Sequence, residues 1–569
     1  MLSLKRLLYI VLIVAVLGGI FLIYSININE SLPASVQIPD RIDSEREFTE
    51  TRRVAGGDKP RVWIFGDSDD VDYGEIYDNV RQFCRDLHLT VAGEGSLDTS
   101  VVKEQDLVII CDASISQYAD LSELKRFISE GGRVILAAGL AKGGEDSRLW
   151  SVFGIQEKSA GEDYHDLYFE KPLLPVQPEQ VCYDGNSGSV RIEVSDDVTV
   201  YIRDAKKGIP ILYTNDWKKG SVCLINGSFL KDIRCMGLLS GAIGALLPDF
   251  VYPVLGVKAV FLDDFPVITS ADDELCRQMY GYSAEGFVQD VVWPSFQGIA
   301  LRTDTPYTAS ILAAASSKKS FGTMDDTLVT TVGKSVLQFG GELVYAANCP
   351  EDGKVVFNED FIDRFAKNFT GYTVQGLAVE TDNFFPEMLD VPGADVRFVR
   401  GILGNRDMRL SWEEGRTVFP AATKGNSMED GNLFAICSVL GAYGMVSHVF
   451  DAGMLISRDS DIASWDSDKR QIGIFESEVL VCVPWLEGRT LSQTEGDVRS
   501  YQDMDYGWIK NGSSIEINCS SVSKGQAFFY HTDGRIVEAK GLTYQDVGNG
   551  YYLLRIQENH GIIILEEGK

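Results

Sequence analysis

Residues 7–24, LLYIVLIVAVLGGIFLIY, run for eighteen positions without a charge. That length sits at the lower edge of what an α-helix needs to cross the hydrocarbon core of a bilayer. Lys5 and Arg6 precede the run and a long acidic remainder follows it, so the positive-inside tendency keeps the N-terminus in the cytoplasm and puts residues 25–569 outside. A cleaved signal peptide is the competing reading. The apolar run exceeds the usual hydrophobic region of such peptides, and SININES brings no small-x-small site promptly after it. The sequence therefore predicts an uncleaved, single-pass anchor over residues 1–25 that holds the chain at the cell membrane.

Residues 26–59 are polar and lack sustained periodicity, as expected of a linker that lifts a folded body off the bilayer. At 569 residues the chain is too long for one core. Its 45% apolar and 10% aromatic content is enough to build several. The 83 acidic side chains outnumber the 52 basic ones, for a formal charge of −31. Such a surface repels phosphate backbones and anionic headgroups, which excludes nucleic acid as a partner. The ten cysteines are scattered with no C-x-x-C, which excludes a zinc ribbon and a disulfide-dense scaffold. Cys111, in DLVIICD, could be a strand-end nucleophile, with only His88 and His165 in its region to activate it; a small buried hydrophobe is the commoner role.

From residue 60 to 250 the pattern alternates. Strands are expected at VWIFGD, LTVAGEG, DLVIICD, RVILAAG and GSVCLINGS. Helices are expected at Gly74 to Leu87, at DLSELKRFISEGG and at CMGLLSGAIGALL, with an irregular insertion around 150–215. That is the signature of a parallel α/β layer. GDSDDVDYG, after the first strand, is acidic and lacks a glycine fingerprint, so no dinucleotide site is expected. In topology the region is similar to flavodoxin-like or amidotransferase-like domains, a likeness that assigns no chemistry.

KAVFLDDFP, residues 258–266, puts two adjacent carboxylates, Asp263 and Asp264, at the end of a buried strand. Metal-dependent hydrolases use such a pair as one base and one ligand; either aspartate could equally cap the next segment. Together with DVVWP at 290–294 and YGMVSHVFD at 443–451, this stretch resembles an uncharacterised bacterial family of the polysaccharide deacetylase (NodB-like) superfamily associated with Pel-like exopolysaccharide loci. The resemblance implies a (β/α) barrel over residues 251–470. It also implies Asp263 as general base, Asp264 as metal ligand, and His448 as the late histidine that protonates the leaving group or orients the site.

The departures from that pattern matter as much as the matches. An Asp-His-His zinc set needs two imidazoles, yet the equivalent stretch, GGELVYAANCPEDG, offers Ala346, Asn348 and Cys349. Asp264, His448 and Asp451 could form an oxygen-rich alternative, and His448 could equally be a core or rim histidine. A divalent metal, zinc or similar, is expected only if that site functions. Glu380 and Asp382 end a strand-like VQGLAVETD that would face the same barrel mouth. Trp293, with Trp412 and Trp465, could stack on sugar rings, although burial is the commoner fate of tryptophan. Residues 471–569 are read as short β-runs of a C-terminal β-sandwich.

The combined expectation is a membrane-anchored, extracytoplasmic deacetylase-like protein of an exopolysaccharide pathway. Its metal site would be degenerate, its role glycan binding or scaffolding, and its partner a polysaccharide or amino-sugar polymer, with an exopolysaccharide synthesis complex possible at the membrane. An active metal-dependent carbohydrate deacetylase is the alternative.

Overall fold

Three sheet systems, with a separate two-stranded ribbon of Ile155–Glu162 and Ser189–Val194, carry the chain in a computed structural model. It describes residues 60–566 apart from 94, 104–105, 142, 144–145, 165, 184–187, 268–271, 322–325, 351–353, 405–407, 414, 430, 456–464 and 521–524. The expected anchor, residues 1–25, and linker, residues 26–59, lie outside the described residues. Among those that are described, no helix is long and apolar enough to cross a membrane.

The first system is a nine-stranded sheet. Thr90–Ala92, Arg61–Phe65, Leu107–Ile110, Arg133–Leu136 and Gly220–Ile225 are parallel neighbours in that order. The sequence pattern predicts this half because its strands are near-continuous apolar runs, as strands covered on both faces must be. The other half differs from the all-parallel expectation. Pro210–Trp217, Thr199–Asp204, Asp166–Phe169 and Gln180–Cys182 continue the sheet antiparallel, so the stretch read as an irregular insertion supplies four further strands. Their short, half-exposed alternations, such as the pattern of Thr199–Asp204, are weak strand signals when read alone.

The second system positions the candidate site. Arg416–Val418, Phe398–Arg400, Gly376–Val379, Glu342–Asn348, Tyr307–Ala315, Val257–Asp263, Met445–Asp451 and Thr423–Lys424 are successive parallel neighbours. The segment 416–424 pairs with Phe398–Arg400 at its start and with Met445–Asp451 at its end. The curved sheet is therefore joined edge to edge through that one segment. Its interior holds Phe261, whose ring lies 6.5 Å from that of Phe419, and helices cover the outside. In the helix Glu359–Asn368, Phe361 and Phe365 are buried, and the Phe365 ring stacks on that of Phe369 at 4.4 Å, so these phenylalanines are core.

The third system is a pair of four-stranded antiparallel sheets. Asp505–Asn511, Ser514–Ser520, His560–Leu565 and Ile536–Lys540 make one; Phe250–Val254, Ala527–His531, Tyr551–Ile556 and Leu542–Gly548 make the other. Their shared core contains Val251, Ile515, Phe528 and Leu554. One of these strands thus comes from the chain just ahead of Val257. Residues 471–502, by contrast, do not join these two sheets; Glu487–Gly488 pairs instead with the start of Val257–Asp263. QIGIFESEV belongs to the helix Trp465–Glu478 and its end, and a second helix spans Glu495–Gln502. Ile472, Phe475 and Val479 are buried at spacings of three and four, a helical period hidden in a β-branched run.

The first two systems meet through small residues. Helix Met236–Leu246 packs on helix Asn432–Tyr443, with Gly237 donating its N–H to Ser438 Oγ at 3.1 Å and Ser240 Oγ donating to the Gly441 carbonyl at 3.0 Å. A methyl group on Gly237 would sit 2.2 Å from the Ser438 carbonyl oxygen. Gly237→Ala is therefore expected to destabilise the chain by about 1–3 kcal/mol through overpacking, measurable as a lowered thermal midpoint. An unchanged midpoint would mean the two helices are free to separate.

Candidate functional site

At the C-terminal edge of the curved parallel sheet a buried carboxylate meets two cations. Asp263 is the last residue of Val257–Asp263, a strand buried along its whole length. Side chains alternate across a strand, so Asp263 shares the interior face with Phe261. Arg400 ends Phe398–Arg400 and is fully buried. Its guanidinium lies 5.6 Å from the Phe261 ring centroid, with Nη2 paired to Asp263 Oδ1. Ser310 Oγ donates to the same Oδ1 at 2.9 Å, and Lys424 Nζ lies 3.1 Å from Oδ2. A buried carboxylate is tolerated only when paired and hydrogen-bonded in this way.

Lys424 also reaches a second carboxylate. Asp451 is the register partner of Asp263 on the neighbouring strand, and its Oδ2 is 3.9 Å from Lys424 Nζ. Burial alone would lower the Lys424 pKa, but Asp263 and then Glu380 outweigh it and the pKa is raised. Loss of water raises that of Asp451, with Lys424 acting against it. Glu380 follows Gly376–Val379 directly and is held at the edge by its N–H, which donates to the Ala347 carbonyl at 3.0 Å. Ser310 Oγ is 3.4 Å from its Oε1, and Asn348 Nδ2 is 3.5 Å from its Oε2. Removal from water, and then the charge of Asp263, push the Glu380 carboxyl up to about 8. The side chain as a whole keeps a partly open face at the rim.

The residues singled out from sequence fall into three groups. Asp263, Glu380 and Asp451 converge, and Asp264, in a left-handed turn at φ 52°, is close enough to act electrostatically on Glu380. Asp382 is exposed two residues beyond Glu380. His448 and Trp293 are elsewhere. His448 sits mid-strand opposite Val260 and faces the outer helix layer, its ring 4.5 Å from that of Phe450 and 5.0 Å from that of Phe475. Its Nδ1 is 2.7 Å from Thr423 Oγ1, and burial pushes its pKa down to about 3. It is a neutral core histidine, neither a leaving-group acid for Asp263 nor a partner of Asp264 and Asp451. Trp293 is 5% exposed, packs on Phe265 and donates its indole N–H to Ser335 Oγ at 2.9 Å, so it offers no face to a sugar. Trp465 is likewise buried, and Trp412 lies under Arg499 at 4.7 Å. Cys111 is fully buried, which raises its thiol pKa well above the ordinary value and leaves it inert as a nucleophile.

Arg400, Lys424 and Ser310 carry the site without having been singled out. The two cations had a signal: an arginine or lysine inside an apolar strand must find a carboxylate, and Arg400 in RFVRG and Lys424 in AATKG are such positions. A zinc ion does not fit this set. Among the described residues no three His, Cys, Asp or Glu side chains converge as a metal-holding group. Ala346 and Cys349 are buried, and an ammonium stands between the two inner carboxylates, where a second cation would be repelled.

Residues 69–335, a little under half of the chain, match a family described as "Uncharacterised protein conserved in bacteria (DUF2194)". The match includes Asp263, Asp264 and Ser310 and stops short of the other site residues. No curated protein matches the sequence. Among solved structures the chain is similar to Agd3, described as a novel carbohydrate deacetylase, at 9% identity and a TM-score of 0.48, with 89% of this chain and 99% of that one covered. It is similar to a thua-like protein from Bacteroides uniformis at 12% identity and a TM-score of 0.25, covering 34% and 94%. A β-galactosidase from Bacillus circulans sp. alkalophilus follows at 14% identity and 0.24, covering 33% and 31%. Likenesses this distant assign no residue a role.

Breaking a buried ion pair from one side strands the other charge. Arg400→Ala is therefore expected to cost about 3–5 kcal/mol of stability, read as a lower urea midpoint. A change below about 1 kcal/mol, the range of surface pairs, would mean Asp263 does not depend on Arg400.

Proposed function

We propose that the chain is a carbohydrate-binding protein of the cell envelope. Its strand-end mouth would hold a polysaccharide or amino-sugar polymer without a metal ion. The observation that carries the reading is Lys424 Nζ, 3.1 Å from Asp263 and 3.9 Å from Asp451. The carboxylate that a deacetylase of the resembled superfamily would use as base, Asp263, is paired with the chain's own cations. Asp263 has Oδ1 paired with Arg400 and Ser310 and Oδ2 facing Lys424, so its charge is matched by two cations of the chain itself.

The rim retains what a sugar needs. Asn348 and Asp382 are exposed and Glu380, Lys424 and Asp451 are half-buried, a set of donors and acceptors matched to hydroxyl and amide groups. A neutral or cationic glycan suits a chain with a formal charge of −31 better than a polyanionic one. The anchor expected over residues 1–25 would keep this mouth outside the membrane, where an exopolysaccharide synthesis complex would supply the polymer.

The test uses the full-length chain. Acetylated hexosamine oligomers are expected to bind saturably in the presence of a chelator, and added zinc, cobalt or nickel is expected to release no acetate from them. Metal-stimulated acetate release that disappears in Asp263→Asn would overturn the binding reading in favour of a working deacetylase.

A further inference from the structure

Two strands that follow one another in the chain, Ser189–Val194 and Thr199–Asp204, do not pair. Strands joined by so short a turn ordinarily close as a hairpin. Here the first is bonded into the ribbon with Ile155–Glu162, and the second lies between Asp166–Phe169 and Pro210–Trp217. A cleft of about 390 Å³ opens between them. The splay is fixed at both ends. Beside the turn the Ser195 N–H donates to the Gly154 carbonyl at 2.8 Å. At the far end Asn226 Nδ2 donates to the carbonyls of Val190 at 2.8 Å and Pro210 at 3.1 Å. The volume lies in the range of small-molecule sites, and walls held in this way need little reordering to receive a ligand.

The lining carries both signs of charge over an apolar floor. Ile192, Val200 and Ile209 are buried. Arg203 is set in place by Glu170, 2.7 Å from its Nε, and by the Gly208 carbonyl, which accepts from Nη1 at 3.0 Å. Arg191 and Lys207 line the same cleft. Arg191 precedes Asp197, in the turn, by as many residues as Arg203 follows it, so the two guanidinium groups belong to the end away from the turn. Glu193 and Asp196 line the cleft nearer the turn and are exposed. Their side chains have no hydrogen-bond or ion-pair partner among the described residues. At about 3.3 Å per residue, Glu193 stands about 7 Å from Arg191 along the strand. An extended dipeptide spans about 7 Å, with an ammonium at one end and a carboxylate at the other.

We propose that this cleft binds a dipeptide-sized ligand with both termini unblocked. Its carboxylate would lie between Arg191 and Arg203, its ammonium at Glu193 and its aliphatic side chains on the floor. A net-neutral zwitterion is not repelled by a chain of formal charge −31. A simple anion is repelled by it, and a simple cation meets the three basic side chains. None of the lining residues belongs to the curved sheet, so the site is separate from the strand-end mouth and does not depend on the carbohydrate reading.

Leucyl-leucine is the probe, titrated calorimetrically into the full-length chain beside N-acetyl-leucyl-leucine, which lacks the ammonium, and leucyl-leucinamide, which lacks the carboxylate. The unmodified dipeptide is expected to bind saturably at one site per chain. Each blocked form is expected to bind about tenfold or more weakly, as the loss of a charge-assisted hydrogen bond implies. Glu193→Gln should weaken leucyl-leucine by a similar factor and leave the acetylated form unchanged, and Arg191→Gln should do the same with the amide unchanged. Both positions are exposed, so an unaltered melting temperature shows that each variant is folded, and the comparison of the three ligands on wild type stands whether or not it is. Absence of saturable binding by wild type, a blocked form that binds as tightly as the parent, or folded variants that bind like wild type overturn the proposal. Displacement of the dipeptide by an acetylated hexosamine oligomer also overturns it, by moving the dipeptide to the mouth.

Discussion

A buried carboxylate at the end of a parallel strand organises the centre of this molecule. Asp263 is enclosed on all sides, and an ion of that kind survives in a protein interior only with partners that replace its water. The curved sheet brings those partners from separate strands: Ser310 from one neighbour, Arg400 from across the interior, Lys424 from the segment 416–424. That segment also joins the two edges of the sheet. The ion cluster and the closure of the sheet are therefore one feature, because the residue that neutralises Asp263 is carried on the stretch that completes the ring.

Cation placement then decides what the mouth can do. A divalent metal polarises water and a carbonyl through its concentrated charge and open positions. An ammonium in the same position neutralises the carboxylates but offers no open coordination site. Asp263 is paired with Arg400 and Lys424, and beside it the Glu380 carboxyl is displaced toward neutrality by burial and by Asp263. The mouth is thus a hydrogen-bonding surface, with donors from Asn348 and Lys424 and acceptors from the carboxyl groups at the rim.

Much of this was legible in the sequence, and the failures have physical causes. The parallel strands of the first sheet were readable as apolar runs, and FLDD correctly marked a strand end with Asp263 as its last residue. The four antiparallel strands at 166–217 were not, because three of them are short or alternate buried with half-exposed positions. The helix Trp465–Glu478 was misread because Ile472, Phe475 and Val479 sit among other β-branched and apolar residues. For His448 the strand was readable but its parity was not: one residue of register separates the interior face, with Asp451, from the helix-covered face, with His448 and Phe450. Arg400 and Lys424 were passed over because a lone basic residue in a loop or strand resembles solvated surface. Only three-dimensional pairing reveals that both point at Asp263.

The central claim is that Lys424 occupies the cation position between Asp263 and Asp451. Calorimetric titration of zinc into the full-length wild type and into Lys424→Ala tests it directly. The account predicts no saturable, stoichiometric binding in wild type and a new divalent-cation site in the variant, where two carboxylates lose their internal counter-ion. One tightly bound zinc per wild-type chain, displaced or weakened by changing Asp263, would contradict it.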